Sequence, residues 1–161
     1  MFEIAISHEK SGLGFSVPST LIWASSLLVT TWDFVYLQAM ICRFGLINAL
    51  GLGLFLTGIS IRLAGKRTLG KSYSYGLKPP EKLIKHGMYE HVRHPIYLAM
   101  LLYTAGIPLF FSSLYGFTPT LGFVPLILYR IKIEEKMLTE KFRDEYREYM
   151  KNTKKLIPFI Y

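Results

Sequence analysis

The stretch "KHGMYEHVRHPIYLAMLLYTAGIPLFF", residues 85–111, places a polar segment directly before an apolar one. Its first thirteen residues contain three of the chain's four histidines, together with an arginine, a glycine and two tyrosines. Pro95 is well suited to the first turn of a helix because it lacks the N–H that would be unpaired there. The pattern therefore predicts a loop that delivers its side chains to the start of a hydrophobic helix.

The composition of the whole chain indicates an integral membrane protein. Of the 161 residues, 51% are hydrophobic and 19% are charged, which is too apolar for an ordinary soluble domain. The formal net charge of +8 lies in blocks between apolar runs, so it favours membrane lipids and not nucleic acid as a partner. The single cysteine, Cys42, excludes an internal disulfide and a cysteine-based zinc site.

Four apolar runs approach the length of about 20 residues that a helix needs to cross the hydrocarbon core. We therefore predict an all-α, polytopic membrane protein with about four transmembrane helices. Pro108, Pro119 and Pro125 predict kinks or a tight hairpin in the last two. The predicted spans are residues 15–38, 44–64, 95–111 and 115–131.

The basic residues predict the orientation of these spans. The segment 65–94 holds seven Lys and Arg residues and the segment from Arg130 onward holds nine, so together they contain 16 of the 19 in the chain. By the positive-inside rule, both segments face the cytoplasm. Four spans then place both termini and the segment 65–94 on the cytoplasmic side.

The segment 130–150 is predicted to continue the fourth helix out of the membrane as an amphipathic helix. Arg130 and Glu134 are four residues apart, close enough to pair on one face. Glu135 lies beside them, and ionisable residues at a membrane boundary are a functional hypothesis by default. An apolar stripe at helical spacing follows: Leu138, Phe142, Tyr146 and Tyr149.

Small residues recur at every fourth position of the second apolar run. They are Gly45, Ala49, Gly53 and Thr57, and this spacing puts them on one helix face. Such a face allows another helix to approach closely in lipid. The pattern fits a packing seam within the chain and an interface between two copies equally well, so the oligomeric state stays open.

The polar loop and the segment 130–158 together resemble the isoprenylcysteine carboxyl methyltransferase family and its wider relatives, which include phospholipid methyltransferases. The resemblance covers residues 83–158 and consists of a Gly-x-Tyr-x-x-x-Arg-His-Pro-x-Tyr loop, a Glu-Glu pair, and apolar residues at fixed spacings before a proline. The matching residues are Gly87, Tyr89, Arg93, His94, Pro95, Tyr97, Glu134, Glu135, Leu138, Phe142, Tyr146, Tyr149 and Pro158.

This resemblance implies methyl transfer from S-adenosyl-L-methionine to a lipophilic or prenylated acceptor at the cytoplasmic membrane face. The apolar and basic segments predict one membrane-embedded domain, residues 1–161. Its parts are two N-terminal helices (1–64), a cytoplasmic cofactor-binding loop (65–94), a transmembrane hairpin (95–131) and a cytoplasmic C-terminal helix and tail (132–161). No Rossmann glycine fingerprint is present, so a different arrangement would hold the cofactor.

Roles for the matching residues follow from the chemistry of the cofactor. Carboxylates suit its positively charged groups, cationic and hydrogen-bonding side chains suit its carboxylate, and aromatic or apolar side chains suit its adenine. We expect Arg130 and Glu134 to be catalytic, with Arg130 orienting an anionic acceptor. The expected cofactor-binding residues are Leu83, Gly87, Tyr89, Arg93, His94, Pro95, Tyr97, Glu134 and Glu135.

Other functions remain open on the sequence. The acceptor could be a phospholipid amine or a small thiol. Sterol reductases share the architecture around the cofactor loop, so an NADPH-dependent membrane enzyme is an alternative, and a non-catalytic membrane scaffold is another. The spacing of His86, His91 and His94 fits no standard zinc pattern, and we expect no metal.

Overall fold

The computed structural model describes residues 13–37, 45–73 and 79–157. Cys42 and Pro158 lie outside these ranges. Four long helices dominate: α1 (Leu13–Trp32), α2 (Leu46–Leu69), α3 (Pro95–Phe110) and α4 (Phe117–Asn152). A π-helical segment, Asp33–Leu37, extends α1, and two short 3-10 helices, Gly70–Ser72 and Gly87–Glu90, lie between α2 and α3. The described residues contain no β-strand beyond one isolated bridge, so the predicted all-α class is confirmed for them.

Two of the helical segments are long and apolar enough to cross a membrane, namely Phe15–Leu37 and Leu46–Leu69. Their outward faces carry large apolar side chains, among them Leu28 (71% exposed) and Leu46 (77% exposed), as expected for surfaces in contact with lipid. The helix α3 is apolar but shorter. The four-span topology therefore stays a prediction.

Close backbone contact joins α2 to α3. A Cβ added at Gly58 would lie 2.7 Å from the backbone nitrogen of Tyr103, and one added at Gly106 would lie 2.7 Å from that of Phe55. Only glycine permits this approach, which brings the backbones of the two helices together. The small-residue face predicted from the sequence is not the one used: it is exposed, and a Cβ at Gly53 would meet nothing within 4 Å.

Two apolar clusters flank the centre of the molecule. In the first, Phe123, Ile127 and Ile131 of α4 are fully buried against Phe15 and Met100. In the second, Leu138, Tyr146 and Tyr149 pack with Leu83, Phe142 and Met150. This second cluster places the predicted apolar stripe of α4 against the loop that precedes α3. The helix is kinked there, because Arg143 has non-helical backbone angles (φ 48°, ψ −116°).

Candidate functional site

A cavity of about 540 Å³ opens between the four helices and the loop before α3. Its volume lies within the range of about 300–1,000 Å³ that is usual for small-molecule sites. One part is polar and is lined by loop and helix-end residues such as Tyr89, His94 and Glu134. The other part lies against α1 and combines apolar side chains such as Trp23 and Met100 with small hydroxyl residues of α1. The hydroxyls of Ser19 and Thr20 are bonded to the backbone of their own helix. The cavity therefore joins a polar compartment to an apolar one.

The C-terminal tail holds the loop that forms the polar part. The backbone N–H of Arg93 donates to the carbonyl of Lys154 (2.8 Å), and that of His94 donates to the carbonyl of Lys155 (3.1 Å). The N–H of Lys154 donates back to the carbonyl of His91 (3.0 Å). These three hydrogen bonds fix the backbone on which the arginine and histidine are presented.

The Arg93 side chain is anchored at several points. Its Nε donates to Oε1 of Glu135 at 3.0 Å, and its Nη1 donates to the carbonyls of Met150 (3.1 Å) and Thr153. The side chain is 9% exposed. Arg93 lines the cavity, but its main role in these contacts is structural, because they connect the loop to α4 and to the C-terminal tail.

Glu135 lies behind the loop and outside the cavity lining. One carboxylate oxygen faces Arg93, and the other lies 3.4 Å from Nζ of Lys155. Burial alone would raise the pKa of Glu135, but the interactions with His94 and Arg93 lower it to about 2. The carboxylate is thus firmly ionised at neutral pH, and its partners are protein groups that hold the site together.

His94 lies between the two carboxylates of α4. Its Nε2 is 3.4 Å from Oε1 of Glu135, and its Nδ1 is 4.0 Å from Oε2 of Glu134. The residue is 4% exposed, and Nε2 faces the carboxylate of Glu135 without a well-aligned hydrogen bond. His94 lines the cavity, so it is a candidate ligand contact.

Tyr97 connects the two residues that the sequence predicts to pair. Its hydroxyl donates to Oε2 of Glu134 at 2.8 Å and accepts from Nε of Arg130 at 3.4 Å. Arg130 is 3% exposed and its guanidinium lies over the ring of Phe15 at 5.0 Å. All three polar groups line the cavity. The charge of Arg130 is therefore balanced through the tyrosine by Glu134.

Aromatic and apolar side chains form the wall of the polar part. Leu83, Tyr89, Tyr146 and Tyr149 all line it, and the Tyr149 hydroxyl donates to the carbonyl of Tyr89 (2.6 Å). The Tyr146 hydroxyl is buried without a partner among the described residues. Burial raises the pKa of Tyr149 to about 12 and that of Tyr146 further, so these hydroxyls remain protonated hydrogen-bond donors at neutral pH.

Gly87 and Pro95 shape the loop and do not line the cavity. Gly87 has a positive φ of 64°, which is unfavourable for other residues. Pro95 is the first residue of α3, as predicted. Of the predicted site residues, the structure thus gathers Leu83, Tyr89, Arg93, His94, Tyr97, Arg130 and Glu134 around one cavity, and leaves Gly87, Pro95 and Glu135 in supporting positions.

The apolar part of the cavity also contains polar side chains that lie outside the sequence motif. Arg62 of α2 donates from Nη1 to the hydroxyl of Tyr103, and the Tyr103 ring packs edge-on against Trp23 at 5.3 Å. All three line the cavity. The one signal available in the sequence was Arg62 itself, an ionisable residue inside an apolar run.

Comparisons with known proteins agree with the predicted resemblance. The phospholipid methyltransferase family profile matches residues 46–145. A probable protein-S-isoprenylcysteine O-methyltransferase of Oryza sativa subsp. indica is 27% identical in an alignment of 162 positions, which covers 90% of this chain and 83% of that protein. The protein-S-isoprenylcysteine O-methyltransferase of Saccharomyces cerevisiae is 33% identical in an alignment of 124 positions, which covers 71% of this chain and 50% of that one.

A solved structure shows the same fold. It is that of a eukaryotic intramembrane Ras methyltransferase, isoprenylcysteine carboxyl methyltransferase, with a TM-score of 0.76 and 25% sequence identity. The match covers 90% of this chain and 53% of that one, so the present chain spans about half the length of the solved protein.

Proposed function

Because this chain belongs to the phospholipid methyltransferase family, as its motifs predicted, we propose that it is a membrane enzyme that methylates the carboxylate of a prenylated cysteine. S-adenosyl-L-methionine is the proposed methyl donor. The two O-methyltransferases and the solved methyltransferase described above carry names of this activity, which favours methyl transfer over hydride transfer from NADPH and over a non-catalytic scaffold.

The observation that carries the proposal is the two-part cavity. A charged, water-soluble donor and a lipophilic acceptor have opposite solvation needs, and they must meet with their reacting atoms in line. A site whose polar part continues into an apolar part between membrane helices satisfies both needs in one enclosure. Most of the motif residues line the polar part, and the apolar side chains of the other part include Trp23 of α1, Ile59 of α2 and Met100 of α3.

The polar part suits the proposed donor. Its lining combines a carboxylate, Glu134, with the side chain of His94 and the buried hydroxyl of Tyr146, which has no hydrogen-bond partner among the described residues. A sulfonium and an ammonium are favourable beside a carboxylate, and a donor carboxylate would accept hydrogen bonds from the other two. Leu83, Tyr89 and Tyr149 would provide flat and apolar surfaces for an adenine ring.

When bound, S-adenosyl-L-methionine supplies a methyl group that is already activated by its sulfonium. The protein then needs no general acid at the donor, and its contribution is alignment and exclusion of water. We assign Arg130 to orienting the anionic acceptor at the junction of the two parts. Glu134, held by Tyr97, would face the positive charge of the donor, and Arg93 and Glu135 would hold the loop in place.

The membrane topology is proposed on the same basis. A single domain, residues 1–161, would cross the membrane four times, with both termini and the segment 65–94 in the cytoplasm. The segment of α4 after Ile131 would cover the donor from the cytoplasmic side. Adding a cysteine at an exposed position such as Lys136, in a Cys42→Ser background, and labelling it with a membrane-impermeant maleimide in sealed vesicles tests this orientation.

A phospholipid amine is the second candidate acceptor, because the matching family profile is described by phospholipid methylation. It shares the donor and the reaction geometry. It differs in the nucleophile, which would be a neutral amine nitrogen instead of a carboxylate oxygen.

Donor binding tests the proposed function without knowledge of the acceptor. Isothermal calorimetry on the purified protein in detergent would compare S-adenosyl-L-methionine with NADPH. We expect saturable binding of the former and none of the latter. Glu134→Gln should weaken donor binding about tenfold or more, whereas Glu140→Gln, at an exposed glutamate on the same helix, should leave it unchanged. Binding of NADPH alone, or of neither, would overturn the assignment.

A further inference from the structure

Arg62 is the one arginine in the cavity lining that the proposed function does not use. It lies within α2, in the segment that is long and apolar enough to span a membrane, and it lines the apolar part of the cavity next to Ile59. The residue is half-buried. A cation at such a position is costly, and in membrane proteins it generally marks a substrate or ion site.

The described residues around Arg62 hold its side chain in place and include no carboxylate that pairs with it. Its Nη1 donates to the Tyr103 hydroxyl, and its guanidinium lies 5.6 Å from the centre of the same ring. Tyr103 rests edge-on against Trp23, whose Nε1 donates to the Thr104 hydroxyl at 3.0 Å. Tyr103 and Trp23 thus orient the guanidinium. This pre-organisation reduces the conformational entropy lost when a ligand binds.

The three arginines of the cavity differ in their charge balance. Arg93 pairs directly with Glu135, and Arg130 is linked to Glu134 through Tyr97. Among residues 13–37, 45–73 and 79–157, Arg62 has no ion pair, and Tyr103 is its single hydrogen-bond partner. Its remaining N–H groups are therefore available to an anion that enters the cavity.

From this difference we infer that Arg62 binds the anionic group of the lipophilic acceptor, which under the proposed function is the carboxylate of the prenylated cysteine. The guanidinium fork matches a carboxylate in geometry and charge. Arg62 then selects anionic over neutral acceptors by charge, while Arg130, already balanced by Glu134, aligns the bound group. A guanidinium would bind the phosphate of a phospholipid equally well. The identification of the anion as a carboxylate therefore rests on the proposed function.

The experiment compares an anionic acceptor with its neutral counterpart. The acid is N-acetyl-S-farnesylcysteine, and the neutral probe is its methyl ester, which cannot be methylated and is measured as a competitive inhibitor. In Arg62→Gln, the KM for the acid should rise about tenfold or more, which is the loss expected for one charged hydrogen-bond partner. The inhibition constant of the ester should change less than twofold, because the ester has no charge for Arg62 to recognise.

Two control variants separate recognition from misfolding. Arg67→Gln removes the same charge from an exposed position on the same helix and should leave both constants unchanged. Arg62→Lys keeps the charge and should restore part of the affinity for the acid. Donor affinity, measured by calorimetry, should be equal in all three variants. An Arg62→Gln enzyme that binds the acid as well as Arg67→Gln does, or that loses acid and ester equally, would overturn the inference.

A separate experiment distinguishes a wrong role for Arg62 from a wrong acceptor in the proposed function. If the wild-type protein does not methylate farnesylcysteine but does methylate phosphatidylethanolamine in mixed micelles, the proposed acceptor is wrong. The role of Arg62 is then measured on the KM for that lipid, where a rise in Arg62→Gln supports binding of the phosphate. An unchanged KM for the lipid overturns the inference there too.

Discussion

Replacing Glu135 by glutamine should destabilise the protein at neutral pH and have almost no effect at low pH. The carboxylate is 15% exposed and contacts Arg93 at 3.0 Å and Lys155 at 3.4 Å. Glutamine keeps the shape of the side chain and an acceptor oxygen, but it removes the charge. The buried guanidinium of Arg93 would then lose its ionic partner, and breaking one half of a buried pair is a strongly destabilising change.

The size of the effect follows from the pKa of Glu135, which is lowered from 4.5 to about 2. One pKa unit corresponds to about 1.4 kcal/mol, so the ionised carboxylate contributes about 3 kcal/mol to the free energy of unfolding at pH 7. Because the folded-state pKa is the lower one, this contribution is complete above about pH 4.5. It is lost at about 1.4 kcal/mol per pH unit as the pH falls towards 2.

Thermal unfolding in detergent, followed by tryptophan fluorescence, measures this contribution. For a chain of this size, 1 kcal/mol shifts Tm by about 2–4 °C, so a loss of about 2–3 kcal/mol predicts that Glu135→Gln melts about 4–12 °C below the wild type at pH 7. The difference should shrink steadily between pH 4.5 and pH 3. Glu140→Gln, at a side chain that is 66% exposed, should melt with the wild type throughout.

Two results would contradict this account of Glu135. One is a Glu135→Gln variant that is as stable as Glu140→Gln at pH 7, since the buried pair would then contribute nothing. The other is a difference in Tm that stays constant down to pH 3, because an effect of packing alone does not titrate.

Two further predictions concern the helix contact and the link across the site. Gly58→Ala should lower Tm by several degrees, because its Cβ would lie 2.7 Å from a backbone nitrogen of α3 and such overpacking costs about 1–3 kcal/mol. The control Gly53→Ala should leave Tm unchanged, because a Cβ there meets nothing within 4 Å. Equal stability of the two variants would refute the close contact. Tyr97→Phe removes the hydroxyl that joins the arginine and glutamate of α4 and should lower kcat about tenfold. It should also lower Tm, because the buried Arg130 loses a hydrogen-bond acceptor. Initial-rate measurements check this, and an unchanged kcat would remove the hydroxyl from the mechanism.

Much of the helical architecture could be predicted from hydrophobic runs and one proline. Each long helix begins within two residues of its predicted start, and α3 begins at Pro95 as expected. The predicted end of α2, Ala64, is too early, because the apolar pattern stops there. The helix itself continues to Leu69, since backbone hydrogen bonds do not depend on side-chain polarity. The π-helical segment and the kink at Arg143 had no sequence signal that we recognised.

The motif predicted the residues of the polar part better than their roles. Sequence spacing could not decide whether Glu134 or Glu135 faces the site. Neighbouring residues of a helix point in different directions, and only tertiary packing determines which of them points into the cavity. The structure turns Glu134 into the cavity and Glu135 towards Arg93. Backbone hydrogen bonds join the loop around His91 to the tail around Lys154, and these segments are more than 60 residues apart. Such long-range contacts leave no periodic pattern in the sequence, so they could not be predicted from it.

The most direct test of the proposed function is methyl transfer itself. The protein, reconstituted in lipid vesicles, would be incubated with tritiated-methyl S-adenosyl-L-methionine and N-acetyl-S-farnesylcysteine, and the organic phase would be treated with base. The account predicts label in a product that releases volatile methanol on hydrolysis, which identifies a methyl ester. Label that is absent from farnesylcysteine, or that appears in a base-stable lipid amine, would contradict it.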